Sequence, residues 1–508
     1  MNNANEQIRV IDNSGMQSIE GHNGLYENRC AIAKGTNELL GNEAEVTIVI
    51  LALNQLNKTK RCVESVLKYT QDVRYELILV DNGSTEPVLD YFKTVEYPNK
   101  KIIRFEKNIS AGFTQIFEDS SIICRYFVEL ACDIVVTQNW LSNLLKVAKS
   151  DEKVGMVNPV CNNTSNLQCV ELQYTDWDDM QKKAAAFNIS NPQKWEQRIR
   201  LLTLGTLYTR ECLYAIGWPR SDIGFMHDFS DDDITFRVRR ARYKAILAGD
   251  TWICHDHPIT DRFNNERVAQ SIKYGRINFK EKYFGLDAWE DVNNYIFFLV
   301  GGHICDVSSS CPTILGVDVK CGTPILDIKN QIRRYGKWDA ELSAFTQEDK
   351  YSIDLHTICD GEIVCDREEF FSSAFQSDSF DYIVLGRDVN RYHEPAKMIL
   401  DSYSILRKGG QMFFSLKNAE SILCFLHMMG FEEVHDKEYC LNYALEPFMN
   451  AWKNMDIDIR LINVQYLKNI SDVVQNAVRN ILMNNGNGNH DETMNRLMIE
   501  RYWFSIQK

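Results

Sequence analysis

Four things are scarce or missing in this chain of 508 residues, and each closes off a class of protein. No apolar run approaches the roughly 18 residues of a membrane-spanning helix. The polar start, Met1 to Gln7, lacks the apolar core of a signal peptide, so the expected location is cytoplasmic, at most peripheral to a membrane. No paired C-x-x-C spacing is present for structural zinc. The fifteen cysteines are odd in number, and several sit inside apolar runs (Cys62, Cys124, Cys132), which points to reduced, buried thiols. Positive charge is also short. A net charge of −14 argues against a general nucleic-acid binder, which needs a basic surface to neutralise phosphates, but leaves room for a small basic pocket around a diphosphate.

What is present is an ordinary globular composition, 44% hydrophobic and 25% charged, in a chain long enough for two or three domains. Val46 to Thr85 organises it. Val46 to Leu53 is an apolar, branched run of the kind buried on both faces of a parallel sheet. Asn54 and Asn57 break it, and Cys62, Val63, Val66 and Leu67 then fall at helical spacing. Leu77 to Val80 follows and stops at Asp81-Asn82-Gly83-Ser84. This is a βαβ unit, and ligands of open α/β sheets bind outside the carboxyl ends of the strands, where Asn54, Asp81 and Asn82 lie. A dinucleotide-binding unit is not indicated, because no G-x-G-x-x-G follows the first strand.

Farther along, a strand at Tyr126 to Leu130 runs into Ala131-Cys132-Asp133, and Asp133 serves either as a strand-end cap or as a ligand-binding carboxylate. Val154 to Val160 reads as a strand, Asp176 to Lys194 as an amphipathic insertion whose aromatic residues would pack or line a groove, and Leu201 to Arg210 as another strand. Ser230-Asp231-Asp232-Asp233 then opens a helix. Carboxylates suit the positive end of a helix dipole, so the cluster reads as a cap or as a general base. A strand pair, Lys244 to Ala248 and Thr251 to Cys254, ends at His255-Asp256-His257, and a helix over Glu266 to Phe284 closes the domain.

Strand, A-L-N, helix and VDNGST resemble the start of family 2 glycosyltransferases of the GT-A fold, and the two acidic segments downstream fall in that family's order. The resemblance implies an inverting transfer from a nucleotide-sugar donor, a UDP-sugar first, to a hydroxyl of a glycan, lipid-linked glycan or protein. It implies that Ala52, Asn54, Asp81, Asn82 and Asp133 meet the donor. Asp133, with His255, would hold Mg²⁺ or Mn²⁺ against the diphosphate. Asp231 would act as base, with Asp232 and Asp233 as its alternatives. Two departures stand out: Ala131 replaces the first polar position of the D-x-D motif, and Ser230 replaces a glutamate. The family's Asn and glycine-rich turn is matched in part by Asn108 to Phe113. Alternative readings are a bifunctional enzyme and a non-catalytic sugar-nucleotide-binding protein.

A second α/β pattern begins near Tyr295. Leu315 to Pro324 resembles the first motif of class I methyltransferases, and Leu406-Arg407-Lys408-Gly409-Gly410 a later turn of that fold. Lys320 and Pro324 stand where glycines would let the backbone approach S-adenosylmethionine, and Gln347 and Glu348 follow a strand whose end should carry an acid. S-adenosylmethionine is therefore not expected to bind, and this half would serve as a scaffold, a surface for homo-oligomers or an acceptor platform. The expected organisation is a polar extension over 1–44 with one short helix near Leu25 to Leu40, a GT-A domain over 45–290, an inactive methyltransferase-like domain over 291–445 and a partly helical tail over 446–508. The tail's polar Asn484 to His490 reads as a loop, and its aromatic Arg501 to Phe504 is expected to dock on the body.

Overall fold

The computed structural model describes residues 8–11, 44–108, 124–216, 228–257, 266–424, 444–453, 455, 457–468, 470–484 and 489–508. The expected helix over 25–40, most of the Asn108 to Phe113 turn, and 485–488 lie outside them. The chain divides into two compact units, Met1–Asn293 and Asn294–Lys508.

The first unit is a mixed sheet. In chain order its main elements are β1 (Ile8–Ile11), β2 (Val46–Ala52), α1 (Leu56–Tyr69), β3 (Tyr75–Asn82), α2 (Val88–Thr94), β4 (Lys100–Phe105), β5 (Tyr126–Ala131), β6 (Ile134–Val135), α3 (Trp140–Ala148) and β7 (Val154–Cys161). There follow α4 (Trp177–Phe187), β8 (Trp195–Gln197), β9 (Thr206–Thr209), α5 (Arg210–Ile216), α6 (Ser230–Arg240), β10 (Lys244–His255) and α7 (Glu266–Lys282). The spatial order is β1-β4-β3-β2-β5-β9-β7-β10-β6, with β8 paired to β10. Strands β2, β3, β4 and β5 run parallel, whereas β9 lies antiparallel between β5 and β7. Every residue of β3 and β7 is buried, which explains the apolar runs Leu77 to Val80 and Val154 to Val157; their polar members Glu76, Asp81, Asn82 and Asn158 are buried as well.

Two expectations change here. The strand pair after α6 is one strand, β10, with a register irregularity between Ala248 and Trp252. Gly249 passes so close to Lys194 that a Cβ would meet its carbonyl oxygen at 2.7 Å, and the Asp250 carboxylate accepts from the Asn191 N–H at 2.6 Å and the Trp195 indole at 2.7 Å. The polar interruption is thus a bulge that binds a loop. The expected strand from Leu201 narrows to β9. Side chains satisfy the backbone before it: Leu202 N–H donates to the Gln168 carboxamide at 2.7 Å, and Leu202 C=O accepts from Asn158 Nδ2 at 2.5 Å.

The second unit holds β11 (Thr313–Val317), α8 (Thr323–Ile332), β12 (Glu341–Thr346), β13 (Ile363–Cys365), β14 (Phe380–Leu385), α9 (Pro395–Ile405), β15 (Leu406–Lys417), α10 (Leu445–Trp452), β16 (Ile459–Tyr466), α11 (Asp472–Asn484), α12 (His490–Leu497) and β17 (Ile499–Gln507). Their order is β13-β12-β11-β14-β15-β17-β16, parallel through β15 and antiparallel for β17 and β16. This is a doubly wound, methyltransferase-like sheet whose order reverses beside β11. The partly helical tail holds α10, α11 and α12, and it also supplies two strands that were not expected, β16 and β17, of which β17 lies inside the sheet. Arg501 of β17 is tied to the buried Asp388 carboxylate at 2.9 Å, which also accepts from Ser415 Oγ at 2.7 Å.

Candidate active site

The strand ends of β2 and β3 are stitched together by their own side chains. Asn54 adopts a left-handed conformation, and its carboxamide oxygen accepts from the Thr85 N–H at 2.8 Å, the Thr85 hydroxyl at 3.1 Å and the Glu86 N–H at 3.1 Å. The Glu86 carboxylate returns to the first turn of α1, accepting from the Gln55 and Leu56 N–H groups at 3.2 and 2.8 Å. Asp81 has no exposed surface. It is paired with Arg104, and its other oxygen accepts the Ser84 N–H at 2.9 Å. Gly83 turns at φ +80°, with Asn108 N only 2.4 Å from where a Cβ would stand; no other residue fits this turn. Asn82 Nδ2 donates to Asn108 Oδ1 at 3.0 Å. Ala52 is wholly buried in the apolar layer that includes Cys62, Val63 and Val66 of α1. Asn54, Asp81 and Asn82 do meet at the ends of β2 and β3, but Ala52 and Asp81 have no exposed surface and Asn82 is buried too.

Asp133 follows β5 and meets the end of β10. Its Oδ2 lies 3.7 Å from His255 Nε2 and 3.6 Å from His257 Nδ1, and the two imidazoles stack with centroids 5.5 Å apart. Burial would raise the Asp133 pKa, but His255, His257 and Lys58 more than offset it and hold the carboxyl below its usual range. The Asn162-Asn163 loop fixes His255: its N–H donates to Asn162 Oδ1 at 2.8 Å, and its Nδ1 lies 3.2 Å from the Asn163 carbonyl. Asp256, between the histidines, pairs with Arg61 of α1, whose guanidinium lies 5.2 Å from the Trp177 ring centroid. The aromatic end of the insertion therefore sits beside the His-Asp-His segment. Arg61 and Trp177 join the sequence-derived set here. Among the described residues, no group of three or more His, Cys, Asp or Glu side chains is arranged as a complete metal cage.

The three aspartates of α6 have different surroundings. Asp232 is buried against the equally buried Arg200. Asp233, fully buried, takes Arg237 Nε at 2.9 Å, Lys282 Nζ at 2.5 Å and Tyr283 Oη at 2.6 Å. Both are committed to internal ion pairs. Asp231 instead accepts from the Thr203 hydroxyl, in the segment that side chains hold out of strand geometry. Burial raises the Asp231 pKa, Thr203 opposes the rise by stabilising the carboxylate, and the Asp232 charge adds to it. Arg200 and Thr203 escaped the sequence reading because they lie some thirty positions before their aspartates.

Residues 47–194 match the family model described as glycosyl transferase family 2. The first unit carries a family 2 glycosyltransferase domain. Among curated proteins, none matches the chain. Solved structures similar to parts of it include a mannosyltransferase from Pyrobaculum calidifontis in complex with GDP-Man and Mn²⁺. That match has 14% identity and a TM-score of 0.35, and covers 51% of this chain and 73% of that one. Another is a SAM-dependent methyltransferase from Archaeoglobus fulgidus, at 13% identity and TM-score 0.28, covering 46% of this chain and 99% of that one. No helix among the described residues is long and apolar enough to cross a membrane.

Proposed function

We propose that this glycosyltransferase domain inverts the anomeric centre, moving a sugar from a nucleotide donor, a UDP-sugar first, to a hydroxyl of a glycan, lipid-linked glycan or protein. Asp231 is the general base. The observation that carries this reading is the division of labour among three consecutive aspartates: two are neutralised by Arg200, Arg237 and Lys282, and only Asp231 keeps a carboxylate partnered by a neutral hydroxyl. A base needs that freedom and a raised proton affinity. The acceptor hydroxyl gives its proton to Asp231 as its oxygen bonds to the anomeric carbon, and the carbon–oxygen bond to the diphosphate breaks with its electron pair.

Asp133 and His255 are the residues that would hold a divalent ion. An ionised carboxylate facing imidazole nitrogens at 3.6 to 3.7 Å, beyond hydrogen-bond reach, is a donor set that suits Mn²⁺ or Mg²⁺ completed by diphosphate oxygens and water. When bound, the ion offsets the leaving group's charge. Asn54 and the Asn82-to-Ser84 turn border the donor, and Asp81, having no surface, acts by fixing that turn.

A panel of nucleotide sugars screened by thermal shift identifies the donor, and transfer is then measured with Asp231→Asn. The expected outcome is a fall in turnover of roughly 10²–10⁴-fold, the range of general-base contributions, with donor affinity unchanged within a few-fold. Near wild-type turnover would remove Asp231 from the mechanism.

A further inference from the structure

Among the described tryptophans of the first unit, Trp177 is the one left exposed. Trp140 and Trp252 are wholly buried, and their indole N–H groups donate to Thr70 Oγ1 at 2.9 Å and to the Val170 carbonyl at 2.8 Å. Trp195 spends its indole N–H on Asp250, and the Trp289 ring stacks on Phe229 with centroids 4.8 Å apart. Trp177 keeps 41% of its surface in solvent, and Tyr174, three residues earlier, keeps 36%. Single exposed apolar residues are ordinary; what marks these two is a fixed backbone and the company they keep. Asp176 caps α4 by accepting the Asp179 N–H at 2.9 Å, and Met180 and Ala184 of that helix are wholly buried. Gln181, four positions after Trp177 and so on the same flank of α4, donates to the Val136 carbonyl at 3.1 Å, three residues past Asp133. The Arg61 guanidinium, 5.2 Å from the Trp177 ring centroid, pairs with Asp256, and the Asp256 N–H donates to the Asp133 carbonyl at 2.7 Å. Tyr174 Oη lies 3.8 Å from Cys254 Sγ near the end of β10. Two exposed rings on one anchored segment therefore flank the strand end that carries His255 and Asp256.

We propose that Trp177 is the platform on which a pyranose ring of the acceptor stacks, and that the acceptor is a neutral glycan. This rests on the glycosyltransferase reading, with Asp133 and His255 at the donor diphosphate. A pyranose has an apolar C–H face and a rim of hydroxyls that both donate and accept. It matches an indole face, which is apolar in its body, bordered by the donors of Arg61 and the acceptors of Asp256. The charge around the ring selects further. Asp176 and Asp178 flank Trp177 in sequence and are exposed, so an anionic headgroup or an acidic peptide is repelled, whereas an uncharged ring is not. The openness of the platform separates acceptor from donor. A donor sugar ends at its diphosphate, while a glycan chain must run out of the site, and a ring with its surface in solvent suits the chain.

Binding of the full-length protein to an array of immobilised neutral oligosaccharides tests this without donor or turnover. The expected result is capture by at least one oligosaccharide, weakened tenfold or more in Trp177→Ala and kept within a few-fold in Trp177→Phe, which retains a ring. Trp177→Leu, apolar but ringless, gives the same answer should Trp177→Ala fold poorly. No capture by any oligosaccharide, capture that the ringless variants leave unchanged, or binding instead to phosphatidylglycerol vesicles or to a peptide array would overturn the platform. In the transfer assay, Trp177→Ala should raise the acceptor KM tenfold or more and the donor KM by far less. An equal or larger rise in the donor KM would assign the ring to the donor sugar and overturn the proposal. If wild type turns over no nucleotide sugar, the glycosyltransferase reading fails, while the array still decides whether Trp177 holds a glycan.

Discussion

Asp133, just after β5, and Asp231, in the first turn of α6, are acids of one unit whose environments push them in opposite directions. Asp133 faces two imidazoles and Lys58 and is held ionised. Asp231 faces a hydroxyl, sits beside another aspartate and is pushed toward its protonated form. Carboxylates separated in this way take different tasks: the first suits a cation and the second a proton. The same contrast recurs within α6, where sequence neighbours differ in what reaches them across the fold.

The largest expected effect comes from breaking that internal contrast. Asp232→Asn strands the Arg200 guanidinium in a buried site, and losing one partner of a buried pair costs about 3–5 kcal/mol. Asp231→Asn removes only a hydroxyl-bonded carboxylate and should leave stability within about 1 kcal/mol. Urea denaturation of the two variants should therefore separate them clearly. Equal destabilisation would mean that Asp231 is as structural as its neighbour.

Glu129, the lone carboxylate within β5, gives the next effect, and its sign is fixed. Its carboxyl titrates near 8 in the fold against an ordinary 4.5, so between those values the folded chain holds a proton that the unfolded chain has released. Stability is fullest below pH 4.5 and falls as pH rises through this window, by at most about 1.4 kcal/mol per unit, levelling off above 8. Glu129→Gln should abolish this contribution, so its stability relative to wild type should climb from pH 5 to 8. Parallel curves for the two proteins would show that Glu129 is ionised at neutral pH.

Asp133 supplies a smaller, ligand-dependent effect. Mn²⁺ at about a hundredfold over its dissociation constant should stabilise the folded chain by about 2.7 kcal/mol, seen as a rise in Tm with the nucleotide present. Asp133→Ala should abolish the rise, and Asp231→Asn should keep it. If Asp133→Ala still responds, the cation binds elsewhere.

How much of this the sequence revealed follows from the range of each interaction. The β2-α1-β3 unit was legible because periodicity and the VDNGST turn are local, and so were Asp133 and the α6 aspartates. The partners that distinguish them were not, since Arg104, Arg200, Thr203 and Arg61 reach their acids from distant segments. Glu129 left one signal, a lone carboxylate inside an apolar strand. The final strand was misread because β17 is buried from Tyr502 to Ile506 and so lacks the alternation that marks a strand with one wet face.

The second unit extends the comparison to a strand-end acid that is held by its own loop. Asp318, beyond β11, accepts from the Gln347 N–H at 2.9 Å and from the Gln347 carboxamide at 2.8 Å, so the residue standing where an acid was expected closes onto the loop. Lys320 adopts φ +55°, a glycine-like backbone that carries a long side chain, and Pro324 enters the first turn of α8. We propose that this loop keeps the methyltransferase-like fold without its cofactor. S-adenosylmethionine at millimolar concentration should then shift the Tm by nothing measurable, and Gln347→Glu should not restore binding, because it sets a second carboxylate against Asp318 while Lys320 and Pro324 remain. A calorimetric signal at micromolar S-adenosylmethionine would instead make the loop a working site, and the contrast between an open acid in the first unit and a closed one in the second would fall.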